Sequence, residues 1–194
     1  MGKLVPIRTK RLVLRSWRRS DVEEYDEGCN TPAVMRWLGG VRTRAAIRRE
    51  VDYFRAAEAR DGFTFWAAER RSDKRLLGFC GLLKITERDC PFRGAVEIGW
   101  RIREDAWRRG YAFEAATAVL RVAADLDQLN VIVSRAAAGN KPSRSLMAKL
   151  GMRRRRESDY QPRGETVKLL VYELTPSTDW LRRQPEGENL VPTE

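Results

Sequence analysis

The hydrophobic positions change period several times along the chain, and each change predicts an element. Leu12, Val13 and Leu14 between arginines predict a first strand over residues 11–16. Ser20-Asp21-Val22-Glu23 has capping-box spacing and predicts a helix over 21–27. Thr31-Pro32 opens a short helix that Gly39-Gly40 ends, and Thr43 caps a longer one running to about residue 60. In that longer helix Ile47, Val51 and Phe54 share one face, which predicts a core stripe opposite an arginine-rich solvated side. Three strands follow, over 63–69, 76–85 and 95–102, joined by turns at 71–74 and 87–94, as in an antiparallel meander. Helical spacing returns over 110–126 through Ala112, Ala116, Val119, Ala123 and Leu126. A buried strand over 131–137, a short helix over 143–150 stopped by Gly151, and a last strand over 167–174 complete the pattern. Residues 1–175 then form one α/β domain, a mixed sheet with helices on both faces. Residues 176–194, polar and containing Pro185, Gly187 and Pro192, form a loose tail.

Composition narrows the chemistry. A chain of 194 residues suits a single domain that buries ~70% of its unfolded surface without staples. There is no histidine, which excludes Ser-His-Asp and Cys-His catalysis and every histidine-ligated metal site. Three cysteines, Cys29, Cys80 and Cys90, have no CxxC spacing, so no disulfide framework and no metal are expected. No apolar run approaches the ~18 residues of a membrane span, and the start lacks a secretory core. A cytoplasmic protein is expected. The formal charge of +11 permits a nucleic-acid partner, but no helix-turn-helix, RNP or zinc-finger signature accompanies it.

Candidate chemistry begins where the third meander strand meets the next helix. Trp100, Arg101 and Ile102 end the strand, and Trp107-Arg108-Arg109-Gly110-Tyr111-Ala112-Phe113 leads into the helix. Unpaired N–H groups at a helix start bind anions, Gly110 allows close approach, and Ala112 keeps the wall low. Arg108 and Arg109 add positive charge. The segment suggests a pyrophosphate seat, and neither a Walker A loop nor GxGxxG is present.

A second segment, Gly139-Asn140-Lys141-Pro142-Ser143 through Met147, Lys149, Leu150, Gly151 and Met152, stands at a fixed distance from the first. Together the two resemble the GCN5-related N-acetyltransferase (GNAT) superfamily, and the ribosomal-protein N-terminal acetyltransferase (RimJ/RimL-like) branch in particular. Trp107-Arg-Arg-Gly110-Tyr-Ala112 matches the family's [QR]xxGx[GA] loop except at Trp107. Asn140, Ser143, Met147, Lys149, Leu150, Gly151 and Met152 match its NxxSxxxMxKLGM pattern, and residues 9–15 resemble the branch's first strand.

The resemblance covers about residues 8–175. It implies a sheet of about seven strands with about four helices, splayed between the strands over 95–102 and 131–137. Acetyl-CoA is implied as cosubstrate in that opening. Its pantetheine amides would pair with Trp100, Arg101 and Ile102, its pyrophosphate would lie on the amides of Arg108 to Phe113, and Asn140 would bond the pantetheine arm. A strand N–H would polarise the thioester, which needs no histidine. Ser143 resembles the family's donor to the leaving thiolate; it also suits a helix N-cap.

For the base, Glu97 faces away from the side carrying Val96, Ile98 and Trp100, towards the cleft, and Asp159 matches a carboxylate of the branch. Both also fit ordinary surface carboxylates. An α-amine of pKa ~7.8 is ~14% neutral at pH 7, a lysine amine only ~0.04%, so weak base signals suit N-terminal acetylation. The expected partner is an amine substrate such as a protein N-terminus, with the enzyme a monomer or homodimer. The alternatives are polyamine or aminoglycoside acetylation, or a basic nucleic-acid-binding module. Arg153-Arg154-Arg155-Arg156 reads as a solvated charge run that could meet the CoA phosphate, an acidic partner or RNA. Trp37 and Trp100 are the tryptophans expected at a substrate cleft.

Overall fold

The structure is a computed structural model that describes residues 4–88, 90–126, 129–164, 166–177 and 180. Its elements are β1 (Ile7–Arg8), β2 (Leu12–Arg15), α1 (Asp21–Cys29), α2 (Pro32–Met35), α3 (Arg44–Asp61), β3 (Phe65–Arg70) and β4 (Leu76–Lys84). There follow β5 (Val96–Ile102), α4 (Tyr111–Ala124), β6 (Ile132–Ala137), α5 (Lys141–Lys149), β7 (Arg153–Arg154) and β8 (Leu169–Leu174). One eight-stranded sheet runs in the order β1-β2-β3-β4-β5-β6-β8-β7, antiparallel throughout except where β5 and β6 run parallel. The meander is β3-β4-β5. The strands added to the expected set are β1 and β7, two-residue pieces too short to show alternation.

Period-two alternation divides the strands between two cores. Leu77, Leu82, Ile98 and Ile132 point to the face covered by α4, whose Ala115, Ala116, Val119 and Ala123 lie flat against them. Phe65, Ala67 and Phe79 point to the other face, where Trp17 from the β2–α1 connection, Tyr25 of α1 and Ile47, Val51 and Phe54 of α3 close over them. The predicted stripe of α3 is therefore its buried stripe, extended by Ala57.

Helix starts are legible only where a side chain has no better partner. Thr31 and Thr43 accept hydrogen bonds from the N–H groups of Val34 and Ala46 as expected. Ser20 does not cap α1: its backbone is helical and its hydroxyl makes no capping bond. Asp21 instead reaches back, accepting from the Arg18 N–H at 2.7 Å while Arg15 grips the same carboxylate from β2. The short helix after Pro32 stops at Met35, and turns carry the chain to Gly40.

At the other end, Trp180 lies inside the stretch expected as tail, yet it is buried, and its indole N–H donates to the Leu150 carbonyl at 2.8 Å. A large aromatic ring gains more against the end of α5 than in water. Pro185, Gly187 and Pro192 lie outside the described residues.

Candidate active site

The sheet forks between β5 and β6. Their parallel ladder spans only Val96–Ile132 and Glu97–Val133, because β5 continues along β4 to Ile102 while β6 continues along β8 to Ala137. Two bonds mark which peptide groups face the opening. Ser134 Oγ donates to the Ile98 carbonyl at 2.9 Å, and Trp107 Nε1 donates to the Ile102 carbonyl at 2.6 Å. Even-numbered residues of β5 thus turn their backbone towards the gap, and between these two carbonyls lies the unladdered peptide edge of Trp100. Arg101, expected beside it, pairs its backbone with Phe79 of β4 and sends its side chain to the far face. Alternation along the strand leaves no other choice.

Beyond the fork, two residues in the left-handed region, Arg108 at φ +58° and Gly110 at +80°, fold the chain back into α4. The N–H groups of residues 108–113 find no acceptor among the described residues; the first capped one is Glu114, which donates to the Gly110 carbonyl at 3.0 Å. Such a run of amides at the positive end of a helix dipole is an anion seat.

It is held from below. Arg11 donates to the Arg109 carbonyl at 2.8 Å and stacks its guanidinium over the Tyr111 ring at 4.4 Å. Glu114 accepts from Thr9 Oγ1 at 2.6 Å, from the Arg11 N–H at 2.8 Å and from Arg11 Nε at 2.6 Å. Arg108 and Arg109 themselves are exposed.

The start of α5 forms the other wall. Asn140 is the N-cap, accepting from the Ser143 N–H at 3.2 Å. The cap expected of Ser143 belongs to Asn140, because Lys141-Pro142 opens the helix two residues earlier. The Ser143 hydroxyl consequently has no hydrogen bond among the described residues and is half-buried in the first turn. Lys149 lies over the Phe113 ring at 4.3 Å, joining α5 to α4. Trp37 crosses towards the fork and packs so closely on Gly139 that a Cβ there would stand 2.4 Å from its ring.

On the opposite face of the sheet the fork opens into a cavity of about 490 Å³, floored by Phe54, Phe65 and Phe79. Glu97 lines it, paired with Arg135 at 2.6 and 3.0 Å; Arg135 also reaches Glu87 at 3.1 Å and the Tyr160 hydroxyl at 2.7 Å. Burial would lower the Arg135 pKa, but Glu97 outweighs it and the guanidinium stays charged. Burial pushes Tyr160 up to about 12, aided by Cys90 at 3.3 Å, and Arg135 only partly offsets this.

The wall near α3 carries Arg101, whose guanidinium holds Glu50 at 2.8 Å and the Tyr25 hydroxyl at 2.6 Å. Asp159 lies away from the cavity, between β7 and β8, bonded to Arg154 at 2.5 Å and to the Val171 N–H at 3.0 Å. Its burial would raise its pKa; Arg154 and the Val171 amide outweigh that and hold it low.

The site therefore joins an anion seat on one face to a cavity on the other, through a fork with an unladdered peptide edge. The family model for the acetyltransferase (GNAT) domain matches residues 11–153. The chain belongs to the GNAT acetyltransferase family.

The curated N-acetyltransferase YoaA of Bacillus subtilis, itself described as uncharacterised, is 25% identical over 151 residues, covering 76% of this chain and 82% of its own. A GNAT acetyltransferase from Bacillus anthracis superposes with a TM-score of 0.72 at 26% identity, covering 88% of this chain and 98% of its own. The ribosomal L7/L12 alpha-N-protein acetyltransferase RimL, solved with coenzyme A, superposes with a TM-score of 0.69 at 15% identity, covering 86% of this chain and 95% of its own.

The protein is an acetyl-CoA-dependent acetyltransferase. The uncapped amides at 108–113 and the Trp100 edge fit that cosubstrate, one as donors to a diphosphate, the other as a strand for an extended amide arm. Among the described residues no group of three His, Cys, Asp or Glu side chains could hold a metal ion, and no helix is long and apolar enough to cross a membrane.

The sequence did not point to Arg11, Glu114, Arg135 or Tyr160. Arg11 and Glu114 stand 103 positions apart, and neither has a local pattern that marks it. Arg135 alone had a legible signal, a charged residue inside an otherwise apolar strand.

Proposed function

We propose that this acetyltransferase transfers its acetyl group to the N-terminal α-amine of a protein or peptide. The observation that carries the reading is that both candidate base carboxylates are occupied by arginines, Glu97 by Arg135 and Asp159 by Arg154. Asp159, held at a low pKa and outside the cavity, has no proton-accepting power to lend, and Tyr160 with a pKa near 12 stays protonated at neutral pH. An acceptor that needs strong deprotonation is poorly served. An α-amine, already ~14% neutral at pH 7, is well served. The RimL neighbour, described as an alpha-N-protein acetyltransferase, is in keeping with this.

Bound acetyl-CoA supplies an acetyl thioester. The amides of Arg108, Arg109, Gly110, Tyr111, Ala112 and Phe113 would hold the diphosphate, with Asn140 and the Trp100 peptide edge orienting the arm; Arg101 faces β4 and the Ile102 carbonyl is taken by Trp107. The Trp100 N–H, the first unladdered donor past the fork, is placed to polarise a carbonyl there. The Ser143 hydroxyl, free of other bonds, gives a proton to the departing sulfur. Glu97, paired with Arg135, orients the incoming α-amine, which reacts from its neutral fraction and gives up its proton to water. Cys29 and Cys80 take no part, since burial pushes Cys29 up to about 12 and Cys80 higher still.

The test is thiol release and mass spectrometry over peptides with free N-termini, N-blocked peptides containing lysine, polyamines and aminoglycosides. Acetylation confined to free peptide N-termini is expected; turnover of polyamines or blocked lysine peptides alone overturns the reading.

A further inference from the structure

The walls of the acceptor cavity are charged unevenly. At the fork end Lys84 and Arg135 stand against Glu87 and Glu97, and the charges balance. At the α3 end Arg42, Arg49 and Arg101 stand against Glu50 alone, an excess of two positive charges. Glu50 is shared, reaching Arg101 at 2.8 Å and Arg42 at 3.1 Å. Arg49 has no hydrogen bond or ion pair among the described residues and is exposed. A cavity neutral where the amine reacts and cationic at its other end selects a molecule with the complementary order of charge.

We propose that the acceptor is an acidic peptide N-terminus, with its α-amine beside Glu97 and a carboxylate of its second or third residue against Arg42 and Arg49. This rests on the α-amine reading above and adds the charge class of the substrate.

The spacing supports a peptide over a small amino acid. Glu97 and Arg101 share one face of β5 four residues apart, about 13 Å at ~3.3 Å per residue. The amine and carboxylate of one amino acid lie too close together to reach both ends, whereas two or three extended peptide residues span about 7–11 Å and the acidic side chain supplies the remaining reach. The phenylalanine floor lies between the two ends and offers an apolar surface to the intervening backbone and side chains. Polyamines meet the opposite of what they need at the α3 end.

The experiment compares kcat/KM for three otherwise identical peptides bearing Glu, Gln or Lys at the second and third positions, together with free glutamate, using the full chain and saturating acetyl-CoA. The expected order is Glu over Gln over Lys, with about tenfold between Glu and Gln, corresponding to ~1.4 kcal/mol. That ratio should shrink at 0.5 M salt, where the screening length falls to about 4 Å. Arg49→Glu should bring it to one or below, and an acetyl-CoA-induced rise in Tm confirms that the variant folds and binds its cosubstrate.

Equal rates for the Glu and Gln peptides, a ratio unmoved by Arg49→Glu, or preference for free glutamate overturns this proposal while leaving α-amine acetylation standing. Acetylation of no peptide at all overturns both.

Discussion

Gly110 sits at φ +80° with Arg11 Nη2 3.3 Å from where a Cβ would stand, and its amide belongs to the anion seat. An L side chain there costs ~1–2 kcal/mol from the left-handed backbone alone. Gly110→Glu should therefore lower Tm by several degrees and also remove the acetyl-CoA-induced rise, because its carboxylate would occupy the diphosphate's place. A wild-type thermal shift with acetyl-CoA in that variant would move the seat elsewhere.

Gly139 is constrained by contact. Gly139→Ala drives a methyl into the Trp37 ring, so an altered tryptophan emission and a raised KM for the acceptor are expected, with the acetyl-CoA thermal shift retained. Asp159 gives a pH test. Its folded pKa lies below the ordinary 3.8, so its contribution to stability is complete above that value and is lost as pH falls through the lowered one. Asp159→Asn should cost stability at pH 7 and flatten the acid limb of a denaturation series; an unchanged acid limb would show that Arg154 does not stabilise the carboxylate. At this scale the glycine was legible in the sequence as a helix-start signal. The partners of Asp159 and Glu97 were not, because an ion pair depends on where two distant chain segments meet.

Elements were read well where one period dominates and poorly at their joints. The apolar stripe of α3 and the three meander strands follow from alternation that burial enforces. The Ser20 cap failed because the turn opens earlier, with the Asp21 N–H donating to the Arg18 carbonyl and Ser20 already helical, and Asn140 rather than Ser143 caps α5.

The anion seat itself is a joint, fastened by a hairpin almost a hundred residues earlier. Glu114→Ala should remove one hydrogen bond from Thr9 and two from Arg11 together. It is expected to cost about 1–3 kcal/mol of stability, since charge-assisted bonds are lost while Thr9 remains buried. Acetyl-CoA affinity should fall with it, measured by calorimetry; unchanged affinity would mean the loop needs no support from β1 and β2. The arginine run of residues 153–156 also resolves at this scale. Arg154 pairs with Asp159 and Arg155 with Glu157 and Glu173, so two of the four charges serve the β7–β8 corner.

Across the whole molecule, the two faces of the sheet divide the labour. The uncapped amides lie at the start of α4 and the cavity is lined from α3, and on the proposed reading the fork is a passage between cosubstrate and acceptor. Direct transfer across that passage requires both substrates at once, so initial-rate lines at several fixed acetyl-CoA concentrations should intersect. Parallel lines would indicate an acyl-enzyme and a nucleophile not assigned above. Alkylation of the native protein with iodoacetamide should leave activity intact, since the described thiols are all buried.

The sequence by itself determined the mixed α/β order, the exclusion of histidine chemistry and the two motifs that flank the fork, because periodicity and residue type are local properties of a chain. The cavity, the Glu97–Arg135 pair, the Arg11–Glu114 clamp and the uneven charge of the acceptor wall were decided only in three dimensions. Each arises where strands paired in non-sequential order bring together side chains that no spacing along the chain relates.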